Sequence, residues 1–477
     1  SISTTVYLII AAAYFFTIIS IIGIVISENR NPVKSLAWIT VLLLLPVVGI
    51  VLYAFFGRSL KSERMISRGN KRKLMKNRRN YKVNIKELPV SDNAKQLIKL
   101  GKSLTGNVSV PCNSIEILTS GKDKFDSLVE DISRAQKYIN IEYYIFENDR
   151  IGRELSNALI TKAKEGVKVR IIYDHVGSFH VNNSFFKEMR QAGIDVLPFL
   201  KVTFPQLATH LNWRNHRKLV IIDGNVGYIG GMNIADRYVY DTADGKRAWR
   251  DTHLRVTGAV VAELQNSFAI DWNFMKQPLL NDCPTGENKI SPDSKAFQVQ
   301  FIRSGPMGQW SNVAVMMCHA IAAAKKSVFI QTPYFIPTET LLIALQTAAL
   351  SKVDVRLMIP RRGDSKLLTL ASFSFIKSCL SAGIKVYLYE PGMLHAKTMV
   401  VDDDIFTTGS TNFDFRSIEC NFECNLFIYD SEITQQAKDI FMLDLENCTR
   451  VVSSTWRHRP ITQRALESLV RLFSPIL

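Results

Sequence analysis

One pattern, H-x-K-x4-D-x6-G-[GS]-x-N, occurs twice in this chain of 477 residues without a gap, and no other feature of the sequence constrains its fold as strongly. The first copy reads NHRKLVIIDGNVGYIGGMN and carries His216, Lys218, Asp223, Gly230, Gly231 and Asn233. The second reads LHAKTMVVDDDIFTTGSTN and carries His395, Lys397, Asp402, Gly409, Ser410 and Asn412. In an extended strand residues i and i+2 share a face, so each His projects together with its Lys. The runs LVII and TMVV continue each strand into a core, and the Asp stands at its end before a turn. The small residues and the Asn then make a second strand-to-loop passage. There a backbone can approach a phosphate and an amide can donate to it.

The copies lie at corresponding places in a longer repeat. Residues 141–174 (IEYYIFENDRIGRELSNALITKAKEGVKVRIIYD) and 330–360 (IQTPYFIPTETLLIALQTAALSKVDVRLMIP) share an order: apolar strand, polar turn, helix with a Leu-Ala face, β-branched strand. From about residue 111 strands and helices alternate: strand 114–118, helix 124–137, strand 138–146, helix 151–165, strand 167–174. This predicts a mostly parallel or mixed sheet covered by helices. Two similar halves packed face to face would bring the motifs together at a cleft.

Two imidazoles, two ammonium groups and two amides around one point suit a phosphodiester. One imidazole can attack phosphorus while the other protonates the leaving oxygen. Lys218, Lys397, Asn233, Asn412 and Ser410 would stabilise charge on the non-bridging oxygens. The lysines supply the positive charge that a metal often brings, so no metal or other cofactor is expected. A nucleophilic imidazole needs one tautomer, usually fixed by a carboxylate on its other nitrogen. Downstream of each His stands a candidate within its own half: Asp251 in WRDTHLRV after His216, and Glu423 in NFECNLFI after His395. A surface or capping role for either carboxylate stays open, as does a turn-fixing role for Asp223 and Asp402. His175, His180, His210, His319 and His458 read as structural or solvated.

Ahead of the repeat, residues 5–27 contain no charge and would form a helix about 34 Å long, enough to cross a bilayer. A second uncharged run, 35–56, comes soon after it. The first run has no basic flank and no small-residue cleavage pattern, which argues against a cleaved signal peptide. A transmembrane helical hairpin is expected. The run from Arg58 to Lys82 is dense in Arg and Lys, with Glu63 its single acid, and places the residues beyond it on the cytoplasmic side. The formal net charge is +16. Directly after a span, such a basic run suits anionic headgroups better than nucleic acid. The seven cysteines are odd in number and form no C-x-x-C pair, so reduced thiols fit better than a disulfide framework or a zinc ribbon.

These motifs are those of the phospholipase D superfamily, and from about residue 5 onward the chain resembles its bacterial cardiolipin synthases. NPVKSLAWITVLLLLPVVGIVLYAFFGR, GGMNIADRY, WRDTHLRVTG, QTPYFIP and GSTNFDFRS carry the likeness, with small departures at SGPM (304–307) and SKVDV (351–355). The resemblance implies an α/β chain with two phospholipase D-type sandwich domains, at 111–285 and 286–477. A transmembrane hairpin (1–57) and a basic juxtamembrane linker (58–110) would precede them. It implies a multi-pass protein of the bacterial inner membrane that joins two phosphatidylglycerol molecules into cardiolipin and glycerol. The step would pass through a phosphohistidine, with His216 as nucleophile and His395 as acid and base. Anionic lipids are the expected partners, nucleic acid is not, and a hairpin anchor could support a homodimer.

Three other readings compete: a hydrolytic phospholipase D with the same residues, a nuclease, and a non-catalytic scaffold that retains the fold. Residues 196–213, apolar and rich in Phe and Leu, could dip into the bilayer or belong to the core. Residues 460–477 have an amphipathic period and could lie on a membrane or pack on the second domain.

Overall fold

A computed structural model describes residues 2–27, 32–57, 64–76, 86, 88–202, 212–242, 245–280, 283 and 296–474. They fall into two compact units, 1–60 with 202–213, and 61–201 with 214–477.

In the first unit a helix spans Ile2–Ser27. Its stretch Thr4–Ser27 has mean hydropathy 2.7 and is hardly buried by protein, with Tyr7, Leu8 and Phe16 exposed. At 1.5 Å per residue it measures about 36 Å. Among the described residues it is the single helix long and apolar enough to cross a membrane. The second apolar run is broken rather than continuous. A helix Pro32–Leu44 ends at Leu45, a short helix Pro46–Leu52 restarts with proline in its first turn, and a wider π turn closes Tyr53–Gly57. Pro46 has no N–H to continue the ladder, so the break falls there. Val25, Leu42 and Tyr53 form a small core that joins the three helices.

The second unit is organised by one sixteen-stranded sheet. The first half of the repeat supplies β1 (Val110–Leu118), β2 (Tyr138–Tyr143), β3 (Lys168–Asp174), β4 (Asp195–Phe199), β5 (Arg214–Asn215), β6 (Leu219–Ile222), β7 (Val226–Gly230) and β8 (His253–Gly258). From the second half come β9 (Phe297–Ser304), β10 (Ser327–Gln331), β11 (Phe335–Ile336), β12 (Asp354–Pro360), β13 (Lys385–Tyr389), β14 (Thr398–Val401), β15 (Ile405–Gly409), β16 (Phe413–Asp414), β17 (Asn421–Tyr429) and β18 (Cys448–Arg450). The order β4-β3-β2-β6-β7-β8-β1 is repeated by β13-β12-β10-β14-β15-β17-β9, and β1 meets β9 antiparallel with Val110 opposite Val299. In each half three strands run parallel and a hairpin turns back beside them (Tyr138 opposite Lys168, Ile139 opposite Ile222). The parallel strands are buried along both faces, as β2 shows with all six residues inside, because helices cover them on either side.

Local chemistry starts these helices. Ser120 and Asp149 accept the amides of Asp123 and Gly152 at the starts of Gly121–Arg134 and Arg150–Lys164, satisfying donors that the helix itself leaves open. Leu128, Ile132, Leu155 and Leu159 then pack on β2 and β3 through one core. The stretch read as a basic linker holds more than a linker. Its helix Asp92–Thr105 buries Ala94, Leu97 and Ile98 in the core of the second half. Residues 203–211 of the Phe- and Leu-rich segment lie outside the described residues. The helix Ile461–Arg471 packs on the helix Lys366–Ala382, with Arg471 lying over the Phe375 ring.

Asp223 and Asp402 end β6 and β14 in the left-handed region, at φ 53° and 51°. The Asp223 carboxylate accepts the amides of Gln136, Lys137 and Tyr138 at 2.7–2.8 Å. That of Asp402 accepts those of Lys325, Lys326 and Ser327 at 2.7–3.1 Å. Each motif Asp therefore fastens the hairpin turn to the start of the neighbouring parallel strand. Leaving three amide donors without their acceptor should cost about 2 kcal/mol or more. Asp402→Ala should lower the thermal unfolding midpoint while the folded fraction keeps its activity. Lost turnover at an unchanged midpoint would contradict the turn-fastening role.

Candidate active site

Neither histidine motif continues as the simple strand expected from its spacing. Strand β5 stops at Asn215, His216 to Lys218 pass through irregular backbone, and β6 begins at Leu219. The reason is a partner in the other half. β5 pairs in parallel with β17, Asn421 opposite Arg214 and Phe422 opposite Asn215, and the His216 amide donates to the Phe422 carbonyl at 3.0 Å. The arrangement is reciprocal. Leu394 bridges to Arg250, and the His395 amide donates to the Arg250 carbonyl at 2.7 Å.

This exchange carries the carboxylates across. His216 Nδ1 lies 2.9 and 3.1 Å from the Glu423 oxygens, and His395 Nδ1 lies 2.6 Å from Asp251 Oδ2. The expectation that each carboxylate serves the histidine of its own half is thus corrected: both pairs cross between halves. Sequence spacing points to the right residue types, but it carries no information about which half a strand end faces. With Nδ1 engaged, Nε2 is the ring nitrogen left for chemistry, and both histidines line one cavity of about 310 Å³.

The lysines sit beneath the rings, both buried. Lys218 Nζ donates to the His216 carbonyl at 2.5 Å. Lys397 Nζ donates to the His395 carbonyl and also lies 2.8 Å from His395 Nδ1. Asn233 and Asn412 line the cavity. The Asn233 amide donates to Tyr238 Oη at 3.0 Å, and that of Asn412 to Asp414 at 2.9 Å. Ser410 does not line the cavity and is corrected as a phosphate contact. It is fully buried, its hydroxyl donates to Glu423, and it accepts the Cys424 amide at 3.0 Å. In the first half Gly231 takes this place, where a Cβ would stand 2.2 Å from Asp251 Oδ1. Asp223 and Asp402, expected among the catalytic groups, instead fasten the turns after β6 and β14.

Sequence reasoning passed over three groups of residues. Arg214, Arg237 and Arg416 add guanidinium groups to the cavity wall, and Arg237 lies over the Trp249 ring. Aromatic rings flank the imidazoles, Tyr144 at 5.0 Å from His216 and Trp249 at 5.2 Å from His395. Arg217, between the motif His and Lys, is almost fully buried and donates to Asp271 at 2.6 Å and to the Ser304 and Glu423 carbonyls. It clamps the two halves behind the site. The repeat itself held a hint, since Ala396 stands at the matching place, but one charged residue between two others reads as solvated. Among the described residues no group of three or more His, Cys, Asp or Glu could hold a metal ion.

Burial governs the ionisation. It lowers the His216 pKa against the pull of Glu423, and drives His395 down to about 3 with Lys397 adding to the effect. Burial likewise lowers Lys218 to about 7 and lowers Lys397. Burial alone would raise Asp251 and Glu423. The neighbouring Lys397 and His395, and His216 and Lys218, outweigh it and hold both carboxyls below the usual range. Burial thus disfavours charge on either imidazole, and the paired carboxylate opposes that effect in each case.

Duplicated sandwiches that share one cavity with paired His-Lys motifs define the phospholipase D class of fold. Comparison with known proteins agrees. The family described as "Cardiolipin synthase, PLD-like domain" matches residues 128–272 and 317–445, and "Phospholipase_D-nuclease N-terminal" matches 12–58. A cardiolipin synthase from Geobacillus kaustophilus is 36% identical over 96% of this chain and 91% of its own length. The major cardiolipin synthase ClsA of Bacillus subtilis is 38% identical over 97% and 98%. Among solved structures, phosphatidylserine synthase of Haemophilus influenzae shares the fold, with TM-score 0.60 at 15% identity, covering 80% of this chain and 98% of that one. The chain belongs to the cardiolipin synthase family, the phosphatidyltransferases of the phospholipase D superfamily.

The crossed pairing predicts crossed titration. Glu423→Gln should lower the pKa of His216, because the carboxylate charge raises it, whereas Asp251→Asn should leave His216 unmoved. Imidazole NMR of the two variants reads this directly. Each variant should also lose about a hundredfold or more in turnover as the tautomer is released.

Proposed function

We propose that this enzyme transfers a phosphatidyl group from one phosphatidylglycerol to the headgroup hydroxyl of another, through a phosphohistidine on His216. The observation that carries this reading is the pair of imidazoles at one cavity, each held at Nδ1 by a buried carboxylate of the other half.

The partners of Nδ1 support the division of labour. On His216 they are the carboxylate oxygens of Glu423, which require a proton on Nδ1 and leave the Nε2 lone pair to attack. His395 Nδ1 also has Lys397 Nζ within 2.8 Å. Nδ1 of His395 stays paired with the Asp251 carboxylate, so a proton added at Nε2 makes an imidazolium that this carboxylate balances and that can give the proton away. His216 Nε2 attacks phosphorus, the bond to the glycerol headgroup breaks, and the leaving oxygen takes the proton from His395 Nε2 as glycerol departs. The hydroxyl of the second phosphatidylglycerol then gives its proton to His395 and displaces the histidine, releasing cardiolipin. Asn233 and Asn412 stand beside the phosphoryl oxygens at the cavity wall, and Lys218 and Lys397, buried behind the imidazoles, add positive charge to the site. One phosphodiester replaces another, so the balance needs no nucleotide.

Membrane association follows from the family and the apolar helix Ile2–Ser27. The basic run from Arg58 to Lys82 supports a cytoplasmic position for residues beyond it. A Pro-interrupted second run is compatible with a second pass, since neighbouring helices can satisfy the backbone freed at Pro46.

Protein reconstituted in phosphatidylglycerol vesicles with excess chelator should give equimolar cardiolipin and glycerol, lost in His216→Ala and His395→Ala. Phosphatidic acid without cardiolipin would make water the acceptor. An acid-labile lipid phosphate should be trapped on the wild type and be missing from His216→Ala. The pH profile of kcat/KM should fall on the acid side below pH 6.5, where His216 gains a proton. On the alkaline side it should fall from about pH 7, where Lys218 loses its charge.

A further inference from the structure

The last described helix, Ile461–Arg471, faces the wrong way for a helix of a water-soluble surface. Its sequence ITQRALESLVR is strongly amphipathic, so ordinary packing would turn the Leu face inward. The opposite is found. The side against the protein holds Val470 and Glu467, with Glu467 buried by a bidentate pairing to Arg459 at 2.9 Å on its longer bond. Ile461, Leu466 and Leu469 point to solvent, continued by Leu472 and Phe473, with exposures from 46% to 74%. Arg464 and Arg471 lie on the helix side opposite the strip, Arg457 precedes the helix, and its single acid is turned inward, so the helix is basic as a whole.

We propose that this strip is a bilayer-docking face, which lies in the headgroup region of an anionic membrane and holds the catalytic unit against its substrate surface. Charge decides between the possible occupants. A second copy meeting the same face would bring together two helices of net positive charge, because a two-fold contact repeats one surface. Anionic headgroups complement that positive charge while the Leu and Phe side chains enter the acyl boundary. The position in the fold agrees. The helix packs on Lys366–Ala382, where Arg471 donates to the Ser374 carbonyl and lies over Phe375. That supporting helix begins at the catalytic cavity, which Asp364 and Leu368 line, and Leu367 beside them is 47% exposed. A lipid leaving the bilayer near the strip would find the cavity at the far end of one helix.

The proposal rests on a lipid substrate only in its second test. In the first, the full chain carrying Leu469→Cys is labelled with an environment-sensitive thiol fluorophore and reconstituted in phosphatidylglycerol vesicles. The unsubstituted chain reports the background from native thiols. Quenching by lipids brominated in the acyl chain is expected. Emission indifferent to bromolipid overturns the proposal, and emission that shifts with protein density instead assigns the face to a second copy. In the second, Leu466→Glu, Leu469→Glu and Leu472→Glu together should slow turnover of long-chain phosphatidylglycerol in vesicles by about tenfold. Turnover of a short-chain phosphatidylglycerol dissolved as monomer should not change. Equal loss on both substrates, or loss on neither, sinks the idea. Quenching needs no turnover, so failure of the cardiolipin synthase reading would leave the first result legible.

Discussion

A carboxylate with no exposed surface is tolerable only when a cation or a set of donors meets it, and that requirement organises this molecule. Glu423 and Asp251 are both fully buried. Glu423 is met by His216 and Ser410, and Asp251 by His395, Lys397 and the Thr252 amide. In each case the imidazole belongs to the other half of the repeat. Separating the halves would take the imidazole from each carboxylate and leave two imidazoles without a fixed tautomer. The short parallel pairing of β5 with β17, and the bridge from Arg250 to Leu394, keep the halves in register. Arg217 fastens the same seam from behind through Asp271. Duplication has thus produced a site that neither half can complete.

The symmetry is imperfect where the chemistry differs. Ser410 donates to Glu423, whereas Gly231 only makes room for Asp251. Lys397 reaches the ring nitrogen of His395, while Lys218 donates to the backbone carbonyl of His216. Tyr238 and Trp249 flank His395, and Tyr144 flanks His216. Small inequalities of this kind make the surroundings of the two imidazoles unequal, the condition under which the proposed division of labour is possible. An internal repeat would otherwise give two interchangeable bases with no order between them.

Much of this was legible in the residues. Alternating apolar runs and helical periods located the strands and helices between 114 and 174 to within a few residues, as with Lys168–Asp174 against the expected 167–174, and gave the order of those in 330–360. The repeated motif marked His216, Lys218, His395 and Lys397, and the polar heads of two later strands marked Asp251 and Glu423. Pro46 carried the signal for a broken second apolar run, but a count of uncharged residues passes over a missing N–H. Ser410 and Gly231 shared one motif position and looked equivalent, although one donates a hydrogen bond and the other only yields space.

The sequence by itself determined the duplication, the residue types of the site, the alternation of strand and helix, and one helix long enough for a bilayer. These are local properties, set by which neighbours share a face and by how far an uncharged run extends. Only the tertiary structure decided that the carboxylates cross, that Asp223 and Asp402 fasten turns, and that the face of Ile461–Arg471 points outward. Each of those depends on packing between segments far apart in the chain. Spacing along a strand or helix records what a side chain faces locally, and the packing of the whole sheet determines what stands opposite.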